Sequence, residues 1–261
     1  MNKWNPYSYL IGASMLLLGM GCEDVIDIDL KDAKPQLVIV GEVSNRLEDQ
    51  QVTISRTVAF SADNAFDPVS GAEVTVSDES GGSFELIEQT PGKYRSRFKG
   101  ETGHLYELRV RVDGQEFRAT SRMPSSVLPD SVGTGVRNIF NEEQKFISVK
   151  YQDPGGVPNY YRYLWSVNGA PLKVVRVTND KFNDGKYVSE DVTDFETDLV
   201  TGDVVSIWMQ CTDKATFDFW NVVQSNNPGT AAPANPPSVF GKGALGYFSA
   251  QAVAEYMITV Q

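Results

Sequence analysis

Residues 104–121 read HLYELRVRVDGQEFRATS, and the fold class follows from them. His104, Tyr106, Leu108, Val110 and Val112 share one side of an extended chain, while Glu107, Arg109 and Arg111 share the other. This two-residue alternation is that of a half-buried antiparallel strand. Asp113-Gly114 comes next, a pair that accepts the positive φ of a tight hairpin, and QEFRATS is the returning strand. His104 is then a strand-end residue at the rim of a core. Toward the N-terminus, QLVIVGEV, QVTISRTV, AEVTVSD, SFELIEQ and KYRSRF repeat the signature, with turns at Ser80-Gly81-Gly82 and Pro91-Gly92. Seven short strands at this spacing predict a two-sheet sandwich over 35–124.

Pro124 and Pro129 interrupt the pattern, and a second β-rich unit is expected over 125–261. Its strands read FISVKYQD, NYYRYLWSV, LKVVRV and VVSIWMQC, with turns at Asp153-Pro154-Gly155-Gly156 and Asn168-Gly169. Thr212 or Asp213 can cap a short helix reaching about Gln224, because Ala215, Phe219, Val222 and Val223 recur at helical spacing. Residues 226–238, rich in Pro, Ala and Asn, read as loop, and LGYFSAQAVAEYMITV closes the chain as one or two strands. The expected class is all-β: two β-sandwich units, Ig-like or transthyretin-like, with one short helix in the C-terminal unit.

The first 21 residues have one early Lys, an apolar run from Tyr9 to Met20 and a small residue at the end, the pattern of an export signal too short to span a bilayer. Cys22 directly follows Gly21, which resembles the bacterial lipobox, although Gly19 stands where that motif prefers Leu. The resemblance implies that Cys22 is lipidated, and more than one acyl chain makes attachment durable. Residues 22–34 then form an acidic tether with Glu23, Asp24, Asp27 and Asp29. With Cys22 so used, Cys211 has no disulfide partner, and its parity with Val205, Ile207 and Met209 makes it a buried apolar thiol.

The 261 residues contain 23 Lys+Arg against 34 Asp+Glu, a net charge of -11, which disfavours nucleic acid as a partner. One His and two Cys are too few for the usual zinc, iron-sulfur or haem sites, and a Ser-His-Asp mechanism would rest on His104 alone. No GxSxG, HExxH or Walker A motif occurs, so no enzyme is expected, and no catalytic residue is assigned. The acidic stretch from Asp180 to Asp203 reads as a solvated loop. Within it, Asp180 and Asp184 of DKFNDG are weak calcium candidates, since Phe182 takes a ligand position and no Glu closes an EF-hand. No other cofactor is expected. Tyr161, Tyr163, Trp165 and Val167 share a strand face, which reads as core. Tyr160, Trp220, Phe240 and Tyr247 are the candidate binding aromatics of the second unit.

The order of lipobox-like segment, acidic tether, LVIVGEV, PVSGAEVTVSD, GKYRSRF, GHLYELRVRVDGQEFRATS, NYYRY, aromatic helix and GALGYFSA resembles a Bacteroidota outer-membrane lipoprotein family classed as a domain of unknown function, family 4249. SGAEVTVSD through GKYRSRF also resembles the carboxypeptidase-regulatory and collagen-adhesin sandwich. Members of the adhesin class often carry a Lys-Asn isopeptide bond, but QLVIVGEV has no Lys to form one. In Bacteroidota lipoproteins, acidic residues after the cysteine resemble a signal for the outer face of the outer membrane. The family resemblance implies a lipid-anchored, cell-surface location and a role as accessory or substrate-capture subunit of a SusC-like TonB-dependent transporter. A free-standing adhesin or glycan-binding lipoprotein is the alternative, and a secreted hydrolase a further rival.

Overall fold

A computed structural model describes residues 35–58, 67–139, 141–194, 196–226 and 234–261. The expected signal, the lipidation site Cys22, the acidic tether and residues 227–233 of the loop lie outside the described residues.

Among the described residues the chain is all-β with one short helix, as its alternation predicts. Strands β1 (Leu37–Ser44), β2 (Glu48–Arg56), β3 (Asp67–Pro68), β4 (Glu73–Asp78), β5 (Ser83–Thr90), β6 (Lys93–Phe98), β7 (Leu105–Val112) and β8 (Gln115–Arg122) make up the N-terminal half. β9 (Ser131–Ile139), β10 (Glu142–Gln152), β11 (Tyr160–Val167), β12 (Lys173–Asn179), β13 (Tyr187–Val192) and β14 (Val204–Thr212) follow. Helix α1 (Lys214–Ser225) and the long β15 (Ala244–Thr259) complete the order. Both dipeptide hairpins form as their chemistry demands. Asp113 and Gly114 have φ of 50° and 73°, and Asn168 and Gly169 have φ of 52° and 78°, the paired positive values of a turn that matches strand twist.

Among the described residues the large sheet runs β12-β11-β14-β15-β1-β2-β6-β5-β4-β7-β8, with β3 on β2, and a second sheet runs β13-β10-β9. The large sheet folds over on itself at β5. Residues Ser83 to Leu86 pair with β4 while Ile87 to Thr90 pair with β6, with a register shift between Glu88 and Thr90. A strand that changes partners in this way forms the corner of a sandwich. Ile39, Val52, Ile54 and Phe248 of one layer and Val74, Val76, Leu108 and Val110 of the other are buried in a common core.

β15 divides its pairing. Ala244 to Gln251 run parallel to β1, whereas Ala252 to Thr259 run antiparallel to β14. The segments 35–124 and 125–261 therefore share one sheet, and the described residues between 35 and 261 fall in a single compact unit. Gly246 permits this junction: at φ 110° it pairs with Ile39, and a Cβ there would lie 1.9 Å from the Ile39 carbonyl oxygen.

Two expectations change in detail. The stretch from Asp180 to Asp203 is not loop throughout, because Tyr187–Val192 forms β13 and pairs with β10. Val188 and Val192 are buried there, a signal masked by Glu190 and Asp191 between them, of which Glu190 points to the same side and pairs with Arg176. A strand that the sequence reading does not include, β9, also begins at Ser131 and pairs with β10.

Candidate functional site

The large sheet has two dissimilar faces where β11, β14, β15 and β1 lie side by side. Tyr161, Tyr163 and Trp165 of β11 and Ile207, Met209 and Cys211 of β14 are buried in the core with Ile147, Val149 and Tyr151 of β10. The aromatic stripe is thus core, with the Tyr163 hydroxyl donating to that of Tyr151 at 3.0 Å. Cys211 is free and 3% exposed; burial pushes its thiol up to about 11, the opposite of an activated nucleophile.

The opposite face is polar although strands carry it. Cross-strand partners point to the same side, so the pairs Arg162 with Gln210, Gln210 with Val253, Ser249 with Glu42 and Glu42 with Gln51 place these residues on one surface. At its centre is Arg162, 1% exposed. Its Nε donates to Gln210 Oε1 at 2.6 Å, and Nη2 donates to Glu42 Oε1 and Gln251 Oε1, each at 2.7 Å. Nη1 donates to the Tyr247 hydroxyl at 3.2 Å, and that hydroxyl donates to Glu42 Oε1 at 2.7 Å. A buried guanidinium needs a counter-charge and acceptors for its donors, and four side chains from β1, β14 and β15 supply both. Burial works to raise the Glu42 pKa, but the charge of Arg162 and hydrogen bonds from Tyr247, Arg162 and Gln251 outweigh it, so the carboxyl is held below its ordinary range.

Helix α1 closes one side. Asp213 caps it by accepting from the Thr216 amide at 2.9 Å, as the sequence suggests, and also accepts from the Ser121 hydroxyl at 2.6 Å, which ties the cap to β8. The Trp220 ring lies 5.4 Å from the Arg162 guanidinium carbon, and Phe219 lies 4.7 Å from Tyr247. Beyond the helix the face opens as a cup of about 290 Å³, lined by Glu42, Ser44, Glu48, Asp49, Gln50, Gln51, Leu164, Leu172, Trp208, Gln210 and Gln251. Its floor is fixed: Ser44 Oγ donates to Glu48 at 2.5 Å, and Gln50 accepts from the Ser44 amide at 2.8 Å and donates to the Phe98 carbonyl at 2.7 Å.

Of the aromatics singled out in the sequence, Trp220 and Tyr247 meet at Arg162. Tyr160, on the same face, packs 5.3 Å from Phe217 of α1. Phe240 lies elsewhere, half-buried against the hydrophobic core in the turn before β15. Arg162, Glu42, Gln210 and Gln251 escaped the sequence reading. Their signal was nevertheless present: a single polar residue inside each of the apolar strands YYRYLW, VGEV, WMQC and SAQAV, with no surface alternation to account for it.

The calcium candidates Asp180 and Asp184 come together with Asp153, their carboxylate oxygens all within 4.8 Å of one another. These three could offer oxygen ligands to a hard cation. They already accept hydrogen bonds: Asp153 from the Tyr161 hydroxyl at 2.5 Å and the Gly185 amide at 3.1 Å, Asp180 from the Asn159 amide at 2.8 Å, and Asp184 from the Gly156 amide at 2.7 Å. The group thereby pins the turn before β11 to the turn before β13. His104 sits at the rim just before β7, its Nδ1 3.0 Å from Asp78 Oδ2 and its Nε2 3.6 Å from Glu101. The hydrogen bond with Asp78 raises its pKa, with the charges of Asp78, Glu101 and Glu79 adding to the effect.

The fold and cup define an all-β protein with a rigid, hydrogen-bonded hollow on an open sheet face. The chain belongs to the family described as Domain of unknown function (DUF4249), whose model matches residues 23–257. No curated protein matches the sequence. No helix among the described residues is long and apolar enough to cross a membrane.

Proposed function

We propose that this chain is a non-enzymatic, surface-exposed outer-membrane lipoprotein, held by lipidated Cys22, that serves as an accessory or substrate-capture subunit of a SusC-like TonB-dependent transporter. The observation that carries the capture role is the cup beside Arg162. Its floor comes from strands rather than mobile loops, and its polar side chains are oriented by a buried cation, the pre-formed arrangement of a binding site. Glu42, the carboxylate paired with buried Arg162, is held ionised, whereas glycoside hydrolysis needs a carboxyl kept protonated as general acid. The lipobox-like Gly21-Cys22 and the acidic residues behind it support the surface address.

The test is gentle detergent extraction of native outer membranes carrying the protein with a tag after Gln261, followed by affinity capture and mass spectrometry. One TonB-dependent receptor in near-equal amount is the expected result. Recovery of the lipoprotein alone, under conditions that preserve a known transporter complex, would overturn the accessory role in favour of a free-standing adhesin or glycan-binding protein.

A further inference from the structure

We infer that the cup binds a neutral, polyhydroxylated ligand the size of a sugar ring, such as the terminal residue of a saccharide. This inference rests on the capture reading above and names its ligand class. Arginine can only donate, so the bond from Arg162 Nε fixes which end of the Gln210 carboxamide faces it, and the Nε2 end is turned away. Gln210 is 2% exposed and lines the cup, yet its Nε2 has no hydrogen-bond partner among the described residues. That amide end is reachable from the cup, where a donor takes its acceptor from a ligand or from water. Glu42 supplies the complementary group, because its side chain is 38% exposed and a carboxylate accepts more bonds than Arg162 and Tyr247 provide. A hydroxyl, which both donates and accepts, satisfies such a pair; a purely anionic or purely cationic head group satisfies one member only.

Charge points the same way. The three carboxylates that line the cup each have an arginine: Glu42 with Arg162 at 2.7 Å, Glu48 with Arg46 at 3.3 Å and Asp49 with Arg97 at 3.9 Å. Lys and Arg are absent from the described lining, so an anion meets no free cation, and a cation must compete with pairs already made. Beside these polar groups the lining is partly apolar: Leu172 is 40% exposed, and half-buried Trp208, on the same face of β14 as Gln210, is held by the Arg46 guanidinium 4.8 Å from its ring. Aliphatic and aromatic surface beside hydrogen-bonding side chains suits a ring that offers both C–H bonds and hydroxyls. The volume of about 290 Å³ accommodates a small ring of this kind.

The experiment is ligand-observed saturation-transfer NMR on the full-length lipidated protein in lauryldimethylamine oxide, a detergent without a sugar head group. The probes are glucose, galactose, mannose, xylose and N-acetylglucosamine, with galacturonate and protonated glucosamine as charged comparisons. Transfer to at least one neutral sugar is expected, and Gln210→Glu and Trp208→Ala should each weaken it about tenfold. Gln210→Glu keeps the acceptor for Arg162 and removes the free donor; should it unfold the protein, as judged by circular dichroism, Trp208→Ala carries the comparison. The inference is overturned if no neutral sugar binds, if galacturonate or glucosamine binds as well as the neutral sugars, or if folded variants bind like the wild type. Receptor recovery without sugar binding defeats this inference alone, whereas sugar binding without a receptor defeats the accessory role alone.

Discussion

Arg162 is the residue whose removal tests the site most directly. Its guanidinium is buried and holds Glu42, Gln210, Gln251 and Tyr247 in one network, so Arg162→Met would strip the Glu42 carboxylate of its counter-charge, leave the Gln210 oxygen without a donor and leave Gln251 with Ser249 alone. Breaking a fully buried pair from one side costs about 3–5 kcal/mol; Glu42 is 38% exposed, so urea unfolding of the variant should show a loss at or below the lower end of that range. The partner gives a pH-dependent counterpart. Because the folded Glu42 carboxyl is held below 4.5, its ordinary value, the unfolded chain takes up that proton more readily. Its contribution is fully present above about pH 4.5 and is lost as pH falls through the lower folded pKa. Glu42→Gln removes this term, so the stability difference between wild type and variant should shrink as urea midpoints are taken from neutral pH to below 4. A difference independent of pH would contradict the charge assignment.

Among the elements, β15 differs most from its sequence expectation. LGYFSAQAVAEYMITV is legible as strand, and so are most of the strands before it, because each shows alternation bounded by turn residues. Which neighbour each strand takes is not legible, since pairing is decided by packing across the whole molecule and leaves little trace in local pattern. The same limit applied to the cup: Arg162, Gln210 and Gln251 lie far apart in the chain, and each alone reads as a polar interruption. Gly246 shows what the junction demands. Gly246→Ala would place a methyl group 1.9 Å from the Ile39 carbonyl oxygen and put alanine at φ 110°. The parallel β1–β15 pairing must then part locally, at a cost of about 3 kcal/mol or more. Thermal unfolding should show a large fall in midpoint, and amide exchange should accelerate first at Leu37 to Gly41. A silent substitution would mean that the two strands are less closely apposed than the register states.

At the scale of the whole molecule, β15 makes the N-terminal sandwich dependent on the end of the chain. Leu37 pairs with Ala244 and Ser44 with Gln251, so one side of β1 is completed only by residues about two hundred positions later. Phe248 and Ala250 of the same strand are fully buried in the core beneath β1, and Asp213 at the head of α1 accepts from Ser121 of β8. A fragment ending at residue 124 lacks this strand, exposes an apolar strand edge and loses part of its core. The fragment 35–124 alone should therefore be unfolded or aggregated by circular dichroism, although the sequence presents it as a sandwich in its own right. The intact protein should unfold in one transition. Its described tryptophans, Trp165, Trp208 and Trp220, all lie in the later half, whereas far-ultraviolet dichroism reports on strands throughout. Urea curves from tryptophan fluorescence and from dichroism should superimpose if β15 couples the halves. Separated curves, together with a folded fragment, would show two independent sandwiches joined only by a shared strand.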